Sequence, residues 1–167
     1  NKLGKDKELD VLEIGLGTNN PNLVSSMGEY GRPGASVYAF RDYLPNASIY
    51  GADVDRDILF ETDRIKTAYV DQMDPSTFRT MQEEFGNPKY DMIIDDGLHS
   101  TVANFNTLLF GLDHIKNDGW FIVEDIGEGM VDNWRSIDFM MKRMNGYKTF
   151  MIKTTGGYYH HNISYMY

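Results

Sequence analysis

Two groups of residues in this chain have the types and spacing to do chemistry. The first is Asp95-Asp96-Gly97-Leu98-His99, followed 28 residues after Asp96 by Glu124-Asp125. Hard divalent cations such as Mg²⁺ take oxygen ligands, a few carboxylates completed by water or substrate oxygens. Asp96, Glu124 and Asp125 supply such a set. A cation held there would bind two neighbouring substrate hydroxyls and lower the pKa of one. His99 would then take the proton, because imidazole titrates near neutral pH. Standing alone, His99 would equally suit a residue leading into a helix through Ser100 and Thr101; its acidic neighbours favour the base.

The second group is Glu13-x-Gly15-x-Gly17, with further acids at Asp53 and Asp55 and at Asp71 beside Gln72. Glycines after a strand let the backbone turn tightly and approach a ligand closely. A dinucleotide-binding dehydrogenase would show Gly-x-Gly-x-x-Gly with an acid about 20 residues on. Here Asn20 holds the third glycine position and Asp53 lies 38 residues past Gly15. Acids commonly cap helices and fill turns at strand ends, so each position alone has a structural explanation.

Charge and composition narrow the field. The 167 residues carry 25 Asp plus Glu against 16 Lys plus Arg, a formal net charge of −9. Duplex binding rests on clustered cations, so nucleic acid is not an expected partner. Hydrophobic residues make up 41% of the chain, which excludes intrinsic disorder. No apolar run approaches the roughly 20 residues of a membrane-spanning helix. The opening Asn-Lys-Leu-Gly-Lys-Asp-Lys has no apolar core behind a basic segment, so no signal peptide is expected. With no cysteine, disulfides, thiolate metal sites and Cys nucleophiles are excluded together. A cytoplasmic protein of one domain, residues 1–167, fits these facts.

The positioning elements follow from hydrophobic period. Short apolar runs alternate with helix-like stretches, the signature of βα units and a mostly parallel sheet. Strands are expected at residues 10–14, 48–52, 66–70, 91–94 and 120–123, and helices at 36–43, 56–62, 75–84, 101–114 and 133–144. In the helix at 101–114, Val102, Phe105, Leu108, Leu109 and Leu112 mark the expected buried face. Asn117-Asp118-Gly119 reads as a turn, and residues 18–33 as a long loop beside the glycine motif. Two last strands, 147–152 and 162–167, would form an antiparallel edge hairpin. In such sheets ligands bind at the carboxyl ends of the strands, and all five ends carry acids.

The remaining residues have plainer readings. Met140, Met141 and Met144 are expected to fill a core, Trp134 to pack or to wall an acceptor pocket, and His114 to end its helix. His160 and His161 would sit in the expected hairpin turn, near the acceptor or in solvent. Arg32 and Arg41 are expected on the surface.

An acid two residues before Gly15, acids ending strands two and three, and a terminal hairpin resemble the class I S-adenosylmethionine-dependent methyltransferases. Asp95-Asp96-Gly97-Leu98-His99 with Glu124-Asp125 resembles, more narrowly, the metal-dependent macrocin- and mycinamicin-type sugar O-methyltransferases, whose motif reads Asp-Asp-Gly-Ser-His before a downstream Glu-Asp pair. Leu98 departs from the motif's serine. Gly34-Ala35-Ser36 resembles the family's Gly-Gly-Ser, with Ala35 in place of one glycine. The fold implied is a Rossmann-like sandwich, a seven-stranded mostly parallel sheet with a C-terminal antiparallel hairpin and helices on both faces. The resemblance implies S-adenosyl-L-methionine and Mg²⁺ as cofactors. Gly15 and Gly17 would pass under the methionine portion, Ser36 would lie near its carboxylate, and Glu13 would orient the loop. Asp53 would bind the ribose, and Asp71 and Gln72 would flank the adenine; Asp95 joins this cofactor-binding set. Asp96, Glu124 and Asp125 would be the metal ligands and His99 the general base. The implied partner is a small-molecule hydroxyl acceptor such as a sugar, with a homo-oligomer left open. The large N-terminal region of those enzymes, which helps build their acceptor site, has no counterpart in this sequence. An oxidoreductase on the same sheet and a binding domain without turnover are the alternatives.

Overall fold

Residues 4–144 and 146–152 are described in the computed structural model of the chain. Val11, Leu12 and Ile14 are at most 1% exposed, as a strand covered on both faces requires. They form β1 (Asp10–Ile14), the centre of a mixed sheet. The other strands are β2 (Ser48–Asp53), β3 (Glu61–Thr62), β4 (Ile65–Tyr69), β5 (Tyr90–Asp95) and β6 (Ile115–Val123). Helices α1 (Ala35–Tyr43), α2 (Pro75–Glu84), α3 (Thr101–His114) and α4 (Val131–Met141) alternate with them. The strand order is β3-β4-β2-β1-β5-β6, and every pair is parallel except β3 with β4.

Two hydrophobic clusters cover the two faces. Leu12 and Ile14 point toward Phe78 and Met81 of α2, Leu108 and Phe110 of α3, and Trp134 and Met141 of α4. Val11, Ile49 and Ile65 point the other way, with Val37 of α1. Helices therefore lie on both faces, as expected. Local signals set their ends: Asp74 caps α2 by accepting from the Ser76 amide at 3.0 Å with Pro75 in the first turn, and Ser100 caps α3 through the Ala103 amide at 3.3 Å.

Several expectations are corrected. Among the described residues the sheet has six strands, not seven. Residues 147–152 form no strand, and 162–167, like His160 and His161, lie outside the described residues. The antiparallel pair sits at the opposite edge instead. There, the helix expected at 56–62 is one 3-10 turn, Arg56–Ile58, followed by β3, which turns through Asp63 and Arg64 onto β4. Asn117-Asp118-Gly119 is a bulge within β6 rather than a turn before it, because the register shifts between Tyr90↔Ile115 and Met92↔Trp120. Met141 is buried, but Met140 and Met144 are exposed. On α3 the expected face holds only in part: Leu108 is buried and Leu112 packs against the core, but Val102, Phe105 and Leu109 are exposed, while Ala103, Asn104 and Thr107 are fully buried.

The carboxyl ends of the central strands are held level. The ladder continues past them through Gly15 N–H to Ala52 O at 2.8 Å, Asp96 N–H to Ile14 O at 2.8 Å, and Glu124 N–H to Asp95 O at 2.9 Å. Three acid-bearing loops thus leave the sheet side by side.

Candidate functional site

These loops surround a cavity of about 510 Å³ at the carboxyl edge of the sheet. Its floor is the turn after β1. Gly15 has φ +98°, and a Cβ there would collide with the Asp96 carbonyl oxygen, so the two loops touch backbone to backbone. One wall is the 18–33 loop, which is folded and pinned: Met27 N–H donates to Thr18 O at 2.8 Å, the Asn19 amide to Gly31 O at 3.1 Å, and the Thr18 hydroxyl to Asp55.

Nine of the expected residues line the cavity: Gly15, Gly17, Ser36, Asp53, Asp71, Gln72, Asp96, His99 and Asp125. Asp53 also organises the floor, its Oδ2 accepting from Leu16 N–H at 2.7 Å and its Oδ1 from Asp55 N–H at 2.8 Å. Asp71 Oδ1 accepts from Met73 N–H at 2.8 Å. Glu13, Asp95 and Glu124 are not part of the lining. Glu13 is buried and takes a hydrogen bond from the Ser36 hydroxyl. Burial, with Asp96 and Glu124 adding to it, pushes its carboxyl up to about 8 against that bond.

Asp95 lies beneath the site, fully buried in a network the sequence did not disclose. Gln72 Nε2 donates to Asp95 Oδ1 at 2.8 Å and to Thr107 Oγ1 at 2.7 Å, while Gln72 Oε1 accepts from Leu98 N–H at 2.7 Å. Asn104 Nδ2 donates to Asp95 Oδ2 at 2.9 Å. Burial raises the Asp95 pKa, and the bonds from Asn104 and Gln72 oppose the rise. These side chains fasten the loop between β5 and α3 to β4 and to the buried face of α3. The loop they hold carries Asp96 and His99. Gln72 therefore meets the cavity as part of a brace, its amide already engaged on both sides.

Asp96, His99 and Asp125 each offer one ligand atom, all within 4.8 Å of one another. Glu124 is not in that trio, although it is near enough for its charge to be felt. Asp96 is pushed up to about 6 by burial, by Asp125 and then by Asp95. Glu124 is raised by burial and then by Asp96 and Asp125, with His99 opposing. His99 and Asp125 both have left-handed backbones, φ 52° and 51°. His99 Nε2 sits 3.9 Å from Asp96 Oδ1, and its buried Nδ1 has no hydrogen-bond partner among the described residues. Crowded carboxylates with raised affinity for protons and an orphaned ring nitrogen fit a divalent cation, which would satisfy the same groups.

Sequence reasoning missed part of the wall. Leu23, Val24 and Met27 contribute apolar surface, and Arg32, exposed as expected, also lines the cavity. Their only signal was position in a long loop beside the glycines. Trp134 is packed in the core and does not line this cavity. His114 ends α3, its Nδ1 2.7 Å from Phe110 O.

No family model matches the chain. Over 122 residues it is 30% identical to the L-olivosyl-oleandolide 3-O-methyltransferase of Streptomyces antibioticus, covering 72% of this chain and 29% of that enzyme. The chain thus spans under a third of the length of this curated relative. In fold it matches MycE, a methyltransferase of the mycinamycin biosynthetic pathway in complex with Mg and SAH, with a TM-score of 0.68 at 20% identity over 96% of this chain and 45% of MycE. A structure described as a ribosomal RNA methyltransferase from Plasmodium falciparum matches with a TM-score of 0.64 at 16% identity, over 99% of this chain and 88% of that one. These two likenesses show the fold alone, an α/β methyltransferase fold. By sequence and by fold together, the chain resembles the macrocin- and mycinamicin-type sugar O-methyltransferases.

Proposed function

We propose that this chain is the catalytic domain of an S-adenosylmethionine-dependent O-methyltransferase acting on a hydroxyl of a sugar or polyol-like small molecule. The observation that carries the reading is the cavity at the strand ends with Asp96, His99 and Asp125 grouped on its wall. Support for the acceptor class comes from the curated relatives, which are sugar O-methyltransferases. An excess of acid at the site and a net charge of −9 disfavour a polyphosphate acceptor.

Gly15 and Gly17 would let the cofactor's amino-acid end lie against backbone, with Asp53 facing its ribose and Asp71 its base. Asp96 and Asp125, backed by Glu124, would hold a hard cation, which when bound polarises the acceptor hydroxyl and lowers its pKa. His99 receives the hydroxyl proton at Nε2, and the carboxylate of Asp96 stabilises the imidazolium that results. The 18–33 loop excludes water from one side. Transfer of a methyl group demands alignment more than further protein chemistry. The same distances favour a second reading in which His99 is itself a ligand; the preference of Mg²⁺ for oxygen donors argues for the base.

Methyl transfer from S-adenosylmethionine to a panel of glycosides tests the proposal. The expected result is activity that needs Mg²⁺, is abolished by EDTA, and falls about 100-fold in kcat in His99→Ala. Turnover indifferent to EDTA and to His99→Ala would contradict the metal and base roles.

A further inference from the structure

Among the described residues Arg32, itself exposed, is the single Lys or Arg in the cavity lining, which it shares with Asp53, Asp71, Asp96 and Asp125. Among the described residues its guanidinium forms no ion pair or hydrogen bond. Arg41 pairs with Asp42, Arg64 with backbone carbonyls and Arg135 with Asp132, and Arg56 lies over the Tyr69 ring; Arg79, away from this cavity, shares the lack of a partner, so what sets Arg32 apart is its place in an acid-lined cavity. Nor is the position loose. The preceding Gly31 carbonyl accepts from Asn19, the Arg32 carbonyl accepts from Ala35 N–H at 3.1 Å, and Gly34 N–H donates to Leu16 O at 2.8 Å. The backbone is fixed on both sides, and the charge is left unspent at the rim.

Its surroundings point to an anionic ligand group. Ala35 and Ser36, at the start of the nine-residue α1, line the same cavity, and no side chain caps that helix. An uncapped helix start and an unpaired guanidinium on one cavity wall suit a carboxylate. Close to Asp53 and Asp71 the cavity would repel one. Resting on the cofactor reading above, the parts of the cofactor separate by charge: its sulfonium and ammonium suit the acids, and its carboxylate suits the one arginine among the described lining residues.

We infer that Arg32 is the receptor for the carboxylate of the cofactor's amino-acid portion, so that the 18–33 loop reads the methionine end. Two ligands separate this role from a general effect on the loop. S-adenosylhomocysteine carries the carboxylate, and 5′-methylthioadenosine lacks the whole amino-acid group. Calorimetric titrations should show Arg32→Gln binding S-adenosylhomocysteine about tenfold more weakly than the unaltered protein, with Arg32→Lys between the two, and 5′-methylthioadenosine bound equally by all three. Loss of affinity for both ligands alike, or for neither, would overturn the inference while leaving the cofactor reading intact. Failure of the unaltered protein to bind either ligand would overturn both.

Discussion

The two ends of the central sheet treat their acids in opposite ways. At the amino end, Asp10 of β1 and Asp91 of β5 share Lys116 of β6, at 2.8 and 2.7 Å. Asp91 also accepts from Asp10 N–H at 2.8 Å. Three residues further along β1 the arrangement reverses. Among the described residues no Lys or Arg pairs with Glu13, Asp53, Asp71, Asp96, Glu124 or Asp125, and the one ionic neighbour is His99, 3.9 Å from Asp96. Like charges left together at partial burial cost stability. Where the fold needs an ion pair it supplies one within the chain; at the cavity it leaves charge uncompensated, as a site does when a ligand brings the counter-charge.

Three changes would break or sharpen this contrast. The largest effect is expected at Glu13. The unfolded chain loses that proton near 4.5 and the folded protein near about 8, so between these values the folded state holds more protons. Stability must therefore fall as pH rises from 4.5 to 8 and level off above. In urea unfolding without Mg²⁺, Glu13→Gln should remove most of this slope and gain about 2 kcal/mol at pH 8, with little change at pH 4.5. An unaltered slope would mean that the buried carboxyl is not set apart as described.

At the other end the sign inverts. Lys116→Met should lose about 1 kcal/mol at neutral pH, because two half-buried carboxylates are left with no partner. Pairing raises the Lys116 pKa in the folded protein, so its stabilisation holds through neutral pH and disappears only in alkali. The smallest effect belongs to Asp96→Asn, which should leave the metal-free protein as stable or about 0.5 kcal/mol more stable, by relieving Asp125. In the same variant, the rise in melting temperature on adding Mg²⁺ should shrink or vanish. Equal destabilisation by Lys116→Met and Asp96→Asn would erase the distinction between the two ends.

Much of this was legible in the residues. Apolar runs located the central strands because a parallel sheet buries both faces, and capping residues fixed α2 and α3 because their side chains meet specific amides. The inward face of α3 was legible only in part, at Leu108 and Leu112. Asn104 and Thr107 turn inward to serve Asp95 and Gln72, and Val102, Phe105 and Leu109 are displaced outward. Hydrophobic period cannot see a buried polar network, since a polar side chain looks exposed until its partner from another strand is known. For the same reason the brace that Gln72 and Asp95 form beneath the loop bearing Asp96 and His99 was not foreseen; Gln72 also lines the cavity, as expected, and Asp95 lies below it. The acids at the strand ends were found by type and spacing. Arg32 is exposed as expected, and its place in the cavity wall was not legible because a lone cation acquires meaning only from the cavity it lines.

The central claim is that the carboxyl edge of this sheet is a cofactor site. Calorimetric titration of the protein with S-adenosylhomocysteine in the presence of Mg²⁺ tests it most directly. Saturable binding of one molecule per chain, weakened by substitution of Asp53, is the predicted result. No heat of binding from a folded sample would contradict it.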